Sequence, residues 1–203
     1  MKIEPAAEPT AGPQHTSSRI EEAALGLFFD QGYSATTMRE IALACGLTAG
    51  SLYNHFPSKE QLLYTIVKRV HDVLDRDLAD AVKTAGDEPR DQLRAYVYRH
   101  ALLHTGLRKE ARVANLEIAS LPEPQRAEIV ETRRRLRHDL RQIIDRGVAA
   151  GIFDVADSSV VANAILNMSI RIPDWFRRDG SLSAEDVAEL HADLALRMVG
   201  ATT

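Results

Sequence analysis

Between residues 37 and 57 the chain is punctuated into two very short helices joined through a glycine, and this limits the fold more than any other feature. Thr37 and Glu40 have the spacing of a capping box, in which hydroxyl and carboxylate each satisfy an orphan amide of a first helical turn. An apolar run from Ile41 to Cys45 follows, and Gly46 offers the left-handed residue that ends such a helix. Thr48 can cap the second short helix, Ala49 to Phe56. Pro57 must end it, because proline lacks an N–H and pushes the residue before it out of helical geometry. Helices this short are unstable alone in water, so both need bracing by longer neighbours.

The braces are visible on either side. Upstream, Ser18 with Glu21 repeats the capping-box spacing, and Ile20, Ala23, Ala24, Leu27 and Phe28 share one face before Gly32. Downstream, Ser58 with Gln61 opens a helix expected to reach about Ala85, with an apolar stripe from Leu62 to Val82 in steps of three and four. Beyond the Gly86-Asp87-Glu88-Pro89 break, helices are expected at about 89–105, 108–119, 122–150, 158–178 and 183–199. Gly151 and Gly180 separate the last three, Ser158 and Ser183 open the final two, and Pro173 must kink the 158–178 helix or end it near Arg171. No stretch alternates with period two, so the fold class is all-α with about nine helices.

At 203 residues the chain can bury a core without staples, and the single cysteine, Cys45, excludes an intramolecular disulfide framework. Cys45 reads as a small core residue rather than a redox sensor. No apolar run is long enough to span a bilayer, and no membrane partner is expected. The opening MKIEPAAEPTAGPQHT lacks the apolar region of a secretory signal and reads as a disordered tail over 1–16 on a cytoplasmic protein. There is no nucleophile elbow, zinc-protease helix, phosphate loop or dinucleotide fingerprint, so neither an enzyme nor a cofactor is expected. A net charge of −4 argues against bulk electrostatic coating of nucleic acid.

Two short helices joined at Gly46, braced before and after, have the dimensions of a helix-turn-helix whose second helix enters the major groove. Leu52 and Phe56 face its core, whereas Thr48, Ala49, Gly50, Ser51, Tyr53, Asn54 and His55 cluster on the outer face. Small residues allow close approach to a duplex, the polar ones can donate to phosphates or base edges, and Asn54 is the best candidate to read a base. Against this, residues 17–60 carry three basic side chains and five acidic ones. Amides, helix N-termini and hydroxyls must then supply many of the phosphate contacts.

The stretch from Phe28 to Lys59, F-x-x-x-G-Y-x-x-T-T-M-R-E-I-A-x-x-C-G-L-T-A-G-S-L-Y-N-H-F-P-S-K-E, resembles the DNA-binding domain of the TetR family of transcriptional regulators. The resemblance implies phosphate contacts at Thr37, Tyr53, His55 and Lys59 and base contacts from Thr48 to Ser51, with Thr36 and Arg39 added to the candidate DNA face. It also implies a DNA-binding domain at 17–60, a ligand-binding and dimerisation domain at 61–203, and a homodimer on a palindromic operator.

In the C-terminal part, His100 and His104 lie four apart on one face and would need Glu117 or His71 to complete a metal set; no metal is expected, because no third ligand is fixed by spacing. With Leu103, Glu117 and Trp175 the two histidines are taken as candidate ligand-pocket residues. Arg133, Arg134, Arg135, Arg137 and Arg141 form the densest basic run, and positions 134, 137 and 141 share a face that is either solvated or a site for a phosphorylated ligand. Ala162, Ile165, Met168 and Ser169 on one helix, with Val187, Leu190, Leu194 and Met198 on another, offer apolar faces for a twofold bundle. The C-terminal half resembles the branch of the family that senses acyl-CoA thioesters, so the expected effector is a small molecule of that class. A repressor of drug export sensing lipophilic cations is the alternative, and a helical-bundle metal or ligand carrier without DNA binding is the rival of a different class.

Overall fold

The computed structural model describes residues 13–201, which form helices and turns with no strand among them. They divide into two compact units whose boundary falls between Leu62 and Leu63.

The first unit holds α1 (Pro13–Gln31), α2 (Met38–Ala44), α3 (Ala49–His55) and the start of α4 (Lys59–Thr84). The expected tail lies mostly outside the described residues, but its last part is corrected: α1 already runs through 13–16, and Ser18 sits inside the helix rather than capping it. Thr37 makes the full capping box, accepting from the Glu40 amide at 3.2 Å while its own amide donates to the Glu40 carboxylate at 2.7 Å. Gly46 exits α2 at φ +66, and the Leu47 amide returns to the Ala42 carbonyl at 2.8 Å. Thr48 Oγ1 accepts from the Ser51 amide, and Phe56 is extended ahead of Pro57. Ile20, Phe28, Ile41, Leu52 and Leu62 are fully or almost fully buried, each stabilising the unit by about 1.5–3 kcal/mol relative to exposure.

The second unit holds the rest of α4, then α5 (Pro89–Gly106), α6 (Arg108–Leu116), a 3₁₀ turn (Ile118–Ser120), α7 (Gln125–Ala149), α8 (Ser158–Ile170), α9 (Ile172–Trp175) and α10 (Ala184–Met198). The expected 108–119 helix stops at Leu116 and tightens into the 3₁₀ turn, and α7 starts only after Pro122 and Pro124. The expected 158–178 helix breaks at Arg171, because Pro173 carries no amide with which to continue it. That break makes ten α-helical segments among the described residues. Asp157, not Ser158, caps α8, its carboxylate accepting from the Ser159 and Val160 amides at 2.8 and 3.1 Å. Ser183 and Asp186 form a capping box on α10. The core of this unit is built round α5, which packs against α7, α8, α9 and α10. Among the described residues no helix is long and apolar enough to cross a membrane.

Candidate functional site

Leu52 and Phe56 anchor α3 and leave its other face bare. Tyr53 is 50% exposed, which removes a core role for it, and Thr48, Ala49, Gly50 and Asn54 are exposed while Ser51 and His55 are half-buried. Thr48 Oγ1 accepts from the Ser51 amide, which leaves its hydroxyl proton outside that bond. His55 Nδ1 lies 3.3 Å from Ser17 Oγ, so the early part of α1 steadies the end of α3. Thr37 and Arg39 are exposed, and the Glu40 carboxyl beside Thr37 is held below its usual range by the Thr37 amide and hydroxyl.

Two residues named for DNA contact are used internally. Thr36 is fully buried, its hydroxyl donating to the Gly32 carbonyl at 2.9 Å and accepting from Gln31 at 3.2 Å, so it closes the turn after α1 and is withdrawn from the DNA face. Lys59 Nζ donates to the Tyr33 carbonyl at 2.9 Å and the Thr36 carbonyl at 2.8 Å, 4.2 Å from the Tyr33 ring centroid. It ties that turn to the start of α4, and these two bonds use two of its three ammonium protons. Cys45 is buried, its thiol pushed up by desolvation and donating weakly to the Arg19 carbonyl.

The second unit contains a cleft of about 310 Å³. Its apolar wall includes Val70, Leu74, Ala111, Leu136 and Leu166, and its polar wall is formed by His71, His100, His104 and Arg133. The three histidines are buried. His71 donates from Nδ1 to the Val67 carbonyl at 2.8 Å, which leaves Nε2 to accept from Arg133 Nε at 2.9 Å. His104 Nδ1 donates to the His100 carbonyl, and the two rings lie 4.4 Å apart. Desolvation lowers His71 and His104 to about 4 and holds His100 well below the ordinary imidazole value, so all three are neutral at pH 7. Among the described residues no three potential metal-ligating side chains converge.

Of the residues expected in a pocket, His100, His104 and Arg137 line this cleft, and the others do not. Leu103 is buried outside its lining, Glu117 accepts from Ser120 at 3.0 Å, and Trp175 stacks on His191 with centroids 6.2 Å apart. Arg134 is 66% exposed and pairs with Glu131, and Arg141 pairs with Asp145, so the solvated reading applies to both. The arginine inside is Arg133. Its position was available in the sequence: Ile129, Leu136 and Leu140, four, three and seven residues from it, are buried on α7, and an arginine on an apolar stripe is the signal. Arg112 and Arg171, also missed, stand at the cleft beside Asp174, 4.0 and 3.4 Å from its carboxylate.

The twofold-interface expectation divides. Ala162, Ile165, Ser169 and Val187 are buried within the unit, because α5 already covers those faces of α8 and α10, and they are withdrawn as interface residues. Leu190 and Leu194 remain 49% and 43% exposed, one turn apart on α10, with Met198 one turn further and Met168 half-buried on α8.

Comparison with known proteins matches residues 20–65 to the bacterial regulatory proteins, tetR family, and residues 86–199 to the tetracyclin repressor-like C-terminal domain. The HTH-type transcriptional repressor KstR2 of Mycolicibacterium smegmatis is 30% identical over 197 residues, spanning 91% of this chain and 92% of the relative. A crystal structure of a tetR-family regulatory protein from Rhodococcus RHA1 superimposes with a TM-score of 0.84 at 34% identity, covering 93% of this chain and 98% of that one. AibR, solved with isovaleryl coenzyme A and operator DNA, gives a TM-score of 0.81 at 30% identity, covering 92% and 100%.

Proposed function

Because the chain belongs to the TetR family of transcriptional regulators, we propose that it is a cytoplasmic repressor that binds a palindromic operator as a homodimer and releases it when an acyl-CoA thioester enters the α4–α7 cleft. The observation that carries the effector class is the cleft's chemistry: an apolar wall joined to Arg112, Arg133, Arg137 and Arg171, with Asp174 as the lone carboxylate in its lining. An amphiphile with a hydrocarbon end and an anionic end fits those walls, whereas a lipophilic cation meets like charge. That AibR is solved with a CoA thioester and operator DNA supports the same class.

DNA is read by α3, with Thr48 to Ser51 and Asn54 toward base edges and Thr37, Arg39, Tyr53, His55 and Lys59 toward phosphates. The exposed row Leu190, Leu194 and Met198, with Met168, forms the twofold contact. Release follows linkage. α4 is one helix from Lys59 to Thr84 and carries Val70, His71 and Leu74 into the cleft lining, so a ligand that favours a shifted α4 disfavours the DNA-bound conformer by its differential affinity, typically about 1–3 kcal/mol.

The test is fluorescence anisotropy on DNA flanking the chain's own gene, titrated with short, long and ring-containing CoA thioesters and with the free acids. Binding to a palindrome and release by thioesters alone is the expected result. DNA binding that no thioester disturbs overturns the effector and leaves the repressor, and a half-turn insertion between half-sites that leaves binding intact overturns the twofold arrangement.

A further inference from the structure

Arg133 is a cation without a counter-ion. Its Nε donates to His71 Nε2 at 2.9 Å, and its Nη2 to the Ala114 carbonyl at 3.1 Å and Asn115 Oδ1 at 3.0 Å. All three partners are neutral, and among the described residues Nη1 has none. The neighbouring arginines are balanced: Arg134 pairs with Glu131, and Arg135 with Asp75. Withdrawal from water lowers the Arg133 guanidinium to about 10, with Arg137 adding a like charge and no acid opposing either effect.

A charge taken out of water is costly unless it is paired, and neutral acceptors orient a guanidinium without cancelling its charge. The surrounding wall cannot supply the missing anion, since His71, His100 and His104 are buried and uncharged at pH 7. Asp174 is already shared between Arg112 and Arg171. The compensating charge must therefore arrive with the ligand. A cleft of about 310 Å³ is too small for an entire CoA thioester, so the nucleotide stays at the exposed side, where Arg137 and Arg171 stand, and the acyl end alone reaches the histidine wall.

Resting on the acyl-CoA reading above, we infer that the effector's acyl group ends in a carboxylate of its own, and that this carboxylate pairs with Arg133 Nη1 on the wall formed by His71, His100 and His104. The effector is thus a dicarboxylic acid joined to CoA through one of its two carboxyls. Charge-assisted pairing in a partly dry cleft discriminates strongly between an acid and a methyl group at the same position. A simple alkanoyl-CoA, by contrast, would bury hydrocarbon against an uncompensated cation.

The experiment is isothermal titration of the full chain at pH 7 with adipyl-CoA and hexanoyl-CoA, which share an acyl length and differ in the terminal group. The wild type is expected to bind adipyl-CoA about tenfold tighter or more. Arg133→Met should erase that preference while keeping hexanoyl-CoA affinity, and Arg133→Lys should retain part of it. The wild-type ratio needs no variant, so the test holds even where Arg133→Met does not fold. Equal binding of the two thioesters by the wild type overturns the inference and leaves the acyl-CoA reading. Equal weakening of both by Arg133→Met also overturns it, because Arg133 then meets a part common to both ligands. Binding of neither overturns the acyl-CoA reading and this inference together.

Discussion

The two units treat charge in opposite ways. Among the described residues the unit that carries α3 has three lysine and arginine side chains, and two of them are committed inside it: Arg19 donates to the Cys45 carbonyl at 3.0 Å, and Lys59 to the Tyr33 and Thr36 carbonyls. Its outer face offers hydroxyls, an amide and small residues. The second unit buries three uncharged histidines beside an arginine that no carboxylate balances. Where charge sits therefore says more than its sum. The surface proposed to meet a polyanion carries hydrogen-bonding and small side chains, whereas the unbalanced positive charge lies in the cleft proposed for the effector.

The comparison is tested most severely by disrupting the proposed twofold contact. Leu190→Glu with Leu194→Glu places charge on the exposed α10 row and is expected to yield monomers by sedimentation, with palindrome affinity lowered about a hundredfold or more as the second half-site is lost. A dimer that survives both substitutions removes that row as the contact.

Acid should strike the second unit first. Burial holds His71 and His104 at about 4, below the 6.5 of a free imidazole, so between those values the unfolded chain takes up protons that the folded chain refuses. Their contribution to stability is complete above about pH 6.5 and is lost as pH falls toward 4, by up to about 3 kcal/mol for each. The buried histidines of the described residues all belong to that unit. Hydrogen exchange at pH 7 and pH 5 should show amides of α5 and α7 losing protection before those of α2. Equal loss in both units would erase the contrast.

Smaller effects separate reading from holding on α3. Asn54→Ala should relax preference at one base pair by about 1–3 kcal/mol if its amide contacts an adenine edge, visible in a panel of single-base operator variants. Tyr53→Ala should weaken specific and random DNA alike, by about 0.5–1.5 kcal/mol for one lost hydrogen bond. A Tyr53→Ala loss confined to the operator would make Tyr53 a reader, and unchanged selectivity would remove Asn54 as one.

Most of the first unit was readable because its signals are local. A capping box at Thr37 and Glu40, a left-handed Gly46 and a terminating Pro57 act within a few residues, and each appears in the structure where its spacing places it. The start of α1 was misplaced: Ser18, which with Glu21 has the spacing of a cap, lies inside the helix instead. In the second unit the break before Pro173 was foreseen for the same local reason.

Helix class, order and punctuation were thus set by the sequence itself, since hydrogen bonding within a turn depends on near neighbours alone. Which of several adjacent arginines enters the cleft, which half of an apolar row faces outward and which threonine disappears into a turn were decided only by packing. Arg133 and Arg134 are the same residue type one position apart, yet a rotation of about 100° along α7 puts the first against His71 and leaves the second to Glu131 in solvent. That assignment depends on what α4, α5 and α6 present to α7, and those partners lie far away in the chain.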